Sequence, residues 1–125
     1  MKNRRVLVVD DEPLVADTLG LIFSRRGFEC QVAYSGAQAI ERMESFAPSL
    51  LLLDLNMPGM SGLEVARSLA VSHPECRLLM MTGHYSKLPE AHEYASGLRH
   101  PIGFATKPVQ PDALLQQASS MLAAV

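Results

Sequence analysis

The chain has 125 residues, the size of one ordinary domain and enough to bury a core without disulfide or metal staples. Its formal charge of -2 is scattered, leaving no basic stripe for nucleic acid, and no apolar run approaches the roughly 20 residues that span a bilayer. Cys30 and Cys76 stand far apart, with no C-x-x-C pair and no secretory leader, so neither a disulfide framework nor a zinc site is expected, and a soluble protein of the reducing cytoplasm fits.

In chain order, five short apolar segments alternate with stretches of helical period. Val6 to Val9 reads as the first strand, followed by a helix over about residues 13 to 26. Pro13 suits a first helical turn, Val15, Leu19 and Ile22 repeat at helical spacing, and Arg25 and Arg26 precede the stop residue Gly27. Cys30 to Tyr34 is the second strand, and a helix carrying Ile40, Met43 and Ala47 ends before Pro48. Leu50 to Leu55 is the third strand; Ser61 and Glu64, in capping-box spacing, open a third helix that runs through Ala66 and Leu69. Leu78 to Met81 and Ile102 to Ala105 complete the strands. Pro89 and Pro111 offer starts for a fourth helix, Glu90 to Leu98, with few apolar anchors, and a fifth with Leu114, Leu115, Ala118 and Leu122 inward.

The first, third and fourth strands are nearly continuous in apolar character, as strands buried on both faces are. Strand and helix alternation five times over predicts right-handed crossovers and a parallel sheet covered on both faces, a single α/β domain over residues 1–125. The pattern leaves the strand order open. If the sheet is doubly wound, the carboxyl ends of strands one and three flank the switch point where such sheets bind ligands.

Asp10, Asp11 and Glu12 follow strand one, Asp54 ends strand three, Thr82 follows strand four and Lys107 follows strand five. In a parallel sheet these ends share one edge. An Asp-Asp pair before a helix is, taken alone, an ordinary complement to the helix dipole. Three gathered carboxylates are different, because two like charges about 4 Å apart repel by roughly 4 kcal/mol at an effective dielectric near 20. Lys107 offsets one charge, and a hard divalent cation held by carboxylates, a carbonyl and waters, as magnesium is, would offset more.

The stretches VLVVDDEP, LLLLDLNMPGMSGLE, MMTGH and FATKP, in this order and spacing, resemble the receiver domains of two-component response regulators over essentially the whole chain. The resemblance implies a flavodoxin-like receiver fold, doubly wound, with strand order 2-1-3-4-5 and five helices. It implies that Asp54 accepts a phosphoryl group from the phosphohistidine of a sensor histidine kinase or a phosphotransfer protein, with Thr82 bonding a phosphoryl oxygen and Lys107 pairing with its charge. Mg2+ would be held by Asp11 and Asp54 side chains, by the Asn56 backbone carbonyl and by Asp10 mainly through water. Thr82 and Phe104 would form the switch, acting on the surface of helix four, strand five and helix five. The Lys107-Pro108 bond stands where the family often has a cis peptide.

The expected role is that of a signalling phosphoacceptor, not an enzyme beyond its own aspartyl phosphorylation and dephosphorylation. Expected partners include an output domain or downstream protein and a phosphorylation-dependent homodimer, with no membrane and no direct nucleic-acid contact. No second domain is read after the fifth helix, which leaves open a single-domain regulator and a receiver belonging to a longer regulator or hybrid kinase.

Three departures stand out. Phe104 replaces the common tyrosine and is expected to lean inward, ASGLRHPIGFATKP is longer and more basic than the usual connection into strand five, and His84 lies where the family varies. His73, His92 and His100 read as surface residues, and Met57, Met60, Met80 and Met81 as packing beside the site.

Rival readings are discriminated by residue order. A haloacid-dehalogenase-like phosphatase places its nucleophile after the first strand, with a second aspartate two positions on, where this chain has Asn56 after Asp54. A flavodoxin-type phosphate loop is at odds with the acids of DDEP. The remaining alternative is a receiver-shaped interaction module that is not phosphorylated.

Overall fold

The computed structural model describes residues 4–57, 59, 62–83 and 99–123. Five strands, β1 (Arg5–Val9), β2 (Glu29–Ala33), β3 (Leu50–Asp54), β4 (Arg77–Thr82) and β5 (Gly103–Thr106), form one sheet in the order β2-β1-β3-β4-β5, every pair parallel. The described helices are α1 (Pro13–Arg25), α2 (Gly36–Phe46), α3 (Gly62–Ser72) and α4 (Pro111–Ala123). The last is the helix expected as the fifth. The expected fourth, Glu90 to Leu98 behind Pro89, and the Ser61 start of the third lie outside the described residues, so four of the five expected helices are described.

The three central strands are dry on both sides, and their period of two divides the core. Leu7, Val9, Leu51, Leu53, Leu78 and Met80 face one way, against Ala39, Met43 and Phe46 of α2 and Val65, Ala66 and Leu69 of α3. Val6, Val8, Leu50, Leu52, Leu79 and Met81 face the other, against Ala16, Leu19 and Phe23 of α1 and Leu114, Leu115, Ala118 and Leu122 of α4. Each fully buried leucine of β3 contributes roughly 1.5–3 kcal/mol relative to exposure. That burial fixes the strand whose last residue is Asp54. β2 and β5, at the two ends of the sheet, are only half-buried.

Differences from expectation are local. β2 is shifted back by one residue, and Tyr34 leaves the ladder because its N–H donates to Gln38 Oε1 at 3.0 Å. Ser35 Oγ accepts the Gln38 N–H at 3.2 Å and caps α2, a serine and glutamine spacing that was legible in the sequence but unread. Ala47, expected among the inward residues of the second helix, is instead the exposed residue after it, in the left-handed region at φ 50°. Its N–H closes the helix onto the Met43 carbonyl, and Pro48 disfavours a right-handed helical conformation at the residue before it.

The basic connection into β5 is tied down at its described end. Arg99 N–H donates to the Pro74 carbonyl at 3.0 Å, and Glu75 pairs with Arg99 at 2.7 Å and with His100 at 3.6 Å. No described helix is long and apolar enough to cross a membrane.

Candidate functional site

The sheet register brings the strand ends together. Val9 pairs with Leu53 and Asp54 with Met81, so the residues after β1, at the end of β3 and after β5 converge on one edge. Asp10 N–H donates to the Ala33 carbonyl at 3.1 Å, which extends the β1–β2 contact one residue and sinks the Asp10 carboxylate. Its Oδ1 accepts the Glu12 N–H at 3.0 Å, turning the chain toward α1. No side chain caps α1, so Asp10 does not serve the capping role an acidic pair before a helix ordinarily has.

Asp54 is buried, its side chain only 2% exposed. Its Oδ1 accepts the Asn56 N–H at 3.0 Å, and its Oδ2 lies 3.0 Å from Lys107 Nζ. The same ammonium stands 3.5 Å from Asp10 Oδ2. One carboxylate oxygen from each of Asp10, Asp11 and Asp54 falls within 4.8 Å of the others, with Asp11 half-buried. Thr82 is buried at the end of β4, and its carbonyl accepts the Lys107 N–H at 3.0 Å. The Lys107-Pro108 peptide is cis, as expected at that position.

The electrostatics follow from this crowding. Burial, aided by the Asp10 charge, raises the Asp54 carboxyl above the usual carboxylate range, while the Asn56 N–H and Lys107 pull it back. Burial alone would lower Lys107, but the Asp54 and Asp10 carboxylates outweigh it and hold the ammonium above its ordinary value. Three carboxylates against one ammonium leave a formal excess of two negative charges. An all-oxygen donor set of that charge, with Asp11 half open to solvent, fits a hard divalent cation that keeps part of its water shell.

Gly62 lies inside the LLLLDLNMPGMSGLE stretch, where the sequence alone assigns it no role. A Cβ on it would lie 2.5 Å from the Asp54 carbonyl oxygen and 2.7 Å from Leu55 Cα, so only glycine lets α3 begin against the end of β3. The available signal was a glycine at the head of a helical stretch, a choice that costs about 1 kcal/mol relative to alanine and therefore asks for a packing reason.

Phe104 is half-buried and packs against the core on the α2 and α3 side. Met57, Met80 and Met81 are buried, as packing residues would be. His73 pairs with Glu44 at 3.3 Å and His100 with Glu75, both away from the acidic cluster. His84, His92 and Met60 lie outside the described residues. Both cysteines are free thiols, pushed up to about 12 by burial, and neither takes part in the cluster. Beside Lys107, a groove of about 600 Å3 runs between α1 and the residues before α4, lined by Glu12, Leu14, Val15, Ile22, Pro108 and Val109.

A doubly wound parallel sheet with an acid cluster and a lysine on its carboxyl edge defines a class of phosphoryl-handling signalling domain. Residues 6–119 match the response regulator receiver domain family, and the chain belongs to it. It is similar to sporulation initiation phosphotransferase F of Bacillus subtilis, 32% identical over 84 residues that make up 67% of this chain and 68% of that one. It is also similar to the DNA-binding response regulator MtrA of Mycolicibacterium smegmatis, 42% identical over 67 residues, 54% of this chain but 29% of MtrA. Among solved structures, the receiver domain of NtrX from Brucella abortus superposes with a TM-score of 0.81 at 28% identity, over 96% of this chain and 99% of that one.

Proposed function

We propose that residues 1–125 form one receiver domain in which Asp54 is the phosphoacceptor. The observation that carries this reading is the buried Asp54 carboxylate, 3.0 Å from Lys107 Nζ and within 4.8 Å of the Asp10 and Asp11 carboxylates. An Asp54 carboxylate oxygen attacks the phosphorus of a phosphohistidine, the P–N bond breaks, and the imidazole leaves to take a proton from solvent. An aspartyl phosphate is formed.

Little covalent work is asked of the protein, and its contribution is placement and charge. Asn56 N–H fixes the orientation of the Asp54 carboxylate. Burial keeps the attacking anion poorly solvated. Transfer moves negative charge outward onto phosphoryl oxygens, where Lys107 neutralises it and the Thr82 hydroxyl donates to one of them. Asp10, Asp11, Asp54 and the Asn56 backbone carbonyl would hold Mg2+, which when bound supplies further neutralisation of the phosphoryl oxygens. Attack of water on the aspartyl phosphate later returns free Asp54, so the domain catalyses its own phosphorylation and dephosphorylation and turns over no other substrate.

The donor is a sensor histidine kinase or phosphotransfer protein, as the family and the phosphotransferase relative support. Thr82 and Phe104 form the switch, read out through the surface of the expected fourth helix, β5 and α4 by an output domain, a downstream protein or a second phosphorylated copy. The cytoplasm, where such kinases work, is the setting this chemistry calls for. The test is incubation with Mg2+ and acetyl phosphate followed by intact-mass measurement. One added phosphoryl group, absent in Asp54→Asn, is expected. No addition under varied donors would leave a receiver-shaped module that binds partners unphosphorylated.

A further inference from the structure

The last strand of the sheet carries a connection that the phosphoryl chemistry does not use. Lys107 N–H donates to the Thr82 carbonyl, so in this parallel ladder the amide groups of Ala105 and Lys107 face β4 and those of Phe104 face the outer side of β5. Among the described residues β5 pairs with β4 alone. The Phe104 carbonyl is nevertheless met there: Gln117 Nε2 donates to it at 3.1 Å.

Gln117 belongs to α4, which packs its apolar face on the α1 side of the sheet, whereas the Phe104 ring lies with the core on the α2 and α3 side. The amide therefore reaches round the strand edge and links the two layers. Gly103 permits the reach. A Cβ on it would meet Met121 Sδ at 2.8 Å and Gln117 Nε2 at 3.2 Å, so α4 lies directly on β5 at this point. A recess of about 270 Å3, lined by Phe104, Thr106, Gln110, Ala113 and Gln117, lies beside this junction.

We propose that Gln117 is a positioning residue that ties the backbone of Phe104 to α4, so that a change in the seating of the Phe104 ring reaches the helix as a pull on this hydrogen bond. Side-chain rotamers depend on backbone φ and ψ, and a carbonyl held from outside makes the peptide plane of Phe104 common to both elements. The inference rests on the phosphoacceptor reading of Asp54 and names the route by which that site reaches the C-terminal helix.

The experiment uses the full chain with Mg2+ in two arms: intact mass after acetyl phosphate, and amide hydrogen exchange of residues 111–123 with and without beryllofluoride. Wild type is expected to take up one phosphoryl group and to change protection in the helix. Gln117→Glu, which has the same length but cannot donate, and Gln117→Met, which is apolar, are expected to be phosphorylated within about twofold of wild type while losing most of the helix response. Gln117→Lys, which can donate, is expected to restore it. Phosphorylated Gln117→Glu and Gln117→Met proteins with the wild-type helix response would overturn the coupling alone, as would a phosphorylated wild type whose helix does not respond. No phosphorylation of wild type would overturn the coupling and the reading of Asp54 together.

Discussion

Burial, the larger influence, and the Asp10 charge raise the Asp54 carboxyl above the usual carboxylate range, while the Asn56 N–H and Lys107 oppose that shift. The balance depends on the Asp54 backbone staying in place, and Gly62 guards that position from below. Gly62→Ala would set a methyl group 2.5 Å from the Asp54 carbonyl oxygen, and both partners are main chain with little room to yield. We expect a loss of roughly 1–3 kcal/mol in urea unfolding, typical of overpacking. A slower uptake of phosphoryl from acetyl phosphate, followed by mass, should accompany it. Wild-type stability together with wild-type uptake would show that α3 does not position Asp54.

At the scale of elements, α2 shows a local rule at work. Ser35 caps its start, and Ala47, before Pro48, ends it in the left-handed region that a Cβ disfavours. Ala47→Gly should therefore stabilise the protein by roughly 0.5–1 kcal/mol, read as a raised urea midpoint at unchanged slope. A lowered midpoint would mean that the entropy glycine brings to the unfolded chain outweighs the relief of strain. The strands repeat the lesson. The apolar runs marked β1, β3 and β4 plainly to within a residue or two at their ends, while β2 ended a residue early because the local hydrogen bond from Tyr34 N–H to Gln38 competed with the ladder.

Across the whole molecule, the sheet brings together acids that lie far apart in the chain, and a cation bound among them would relieve their mutual repulsion and so stabilise the fold. A ligand that binds only the folded state stabilises it by about 2.7 kcal/mol at a hundred times its dissociation constant. Urea unfolding of wild type with added Mg2+ should show such an increment. Asp11→Ala should lose most of it while unfolding at or above the wild-type urea midpoint without the ion, because it removes one of the mutually repelling carboxylates at a half-buried position. An equal Mg2+ increment in the variant would remove Asp11 from the cation site.

Much of this protein was legible in its sequence because the signals are local. Short continuous apolar runs, helix starts at Pro13 and Pro111, and acids or a lysine placed at strand ends depend on neighbours within a few residues. They established an α/β sheet and named Asp10, Asp11, Asp54, Thr82 and Lys107. Only the folded sheet decided that Lys107 Nζ sits between Asp54 and Asp10, that Gly62 lies against the Asp54 carbonyl, and that Gln117 grips Phe104 round an edge. Those facts turn on register and on how closely segments remote in the chain approach one another, and no short-range pattern carries them.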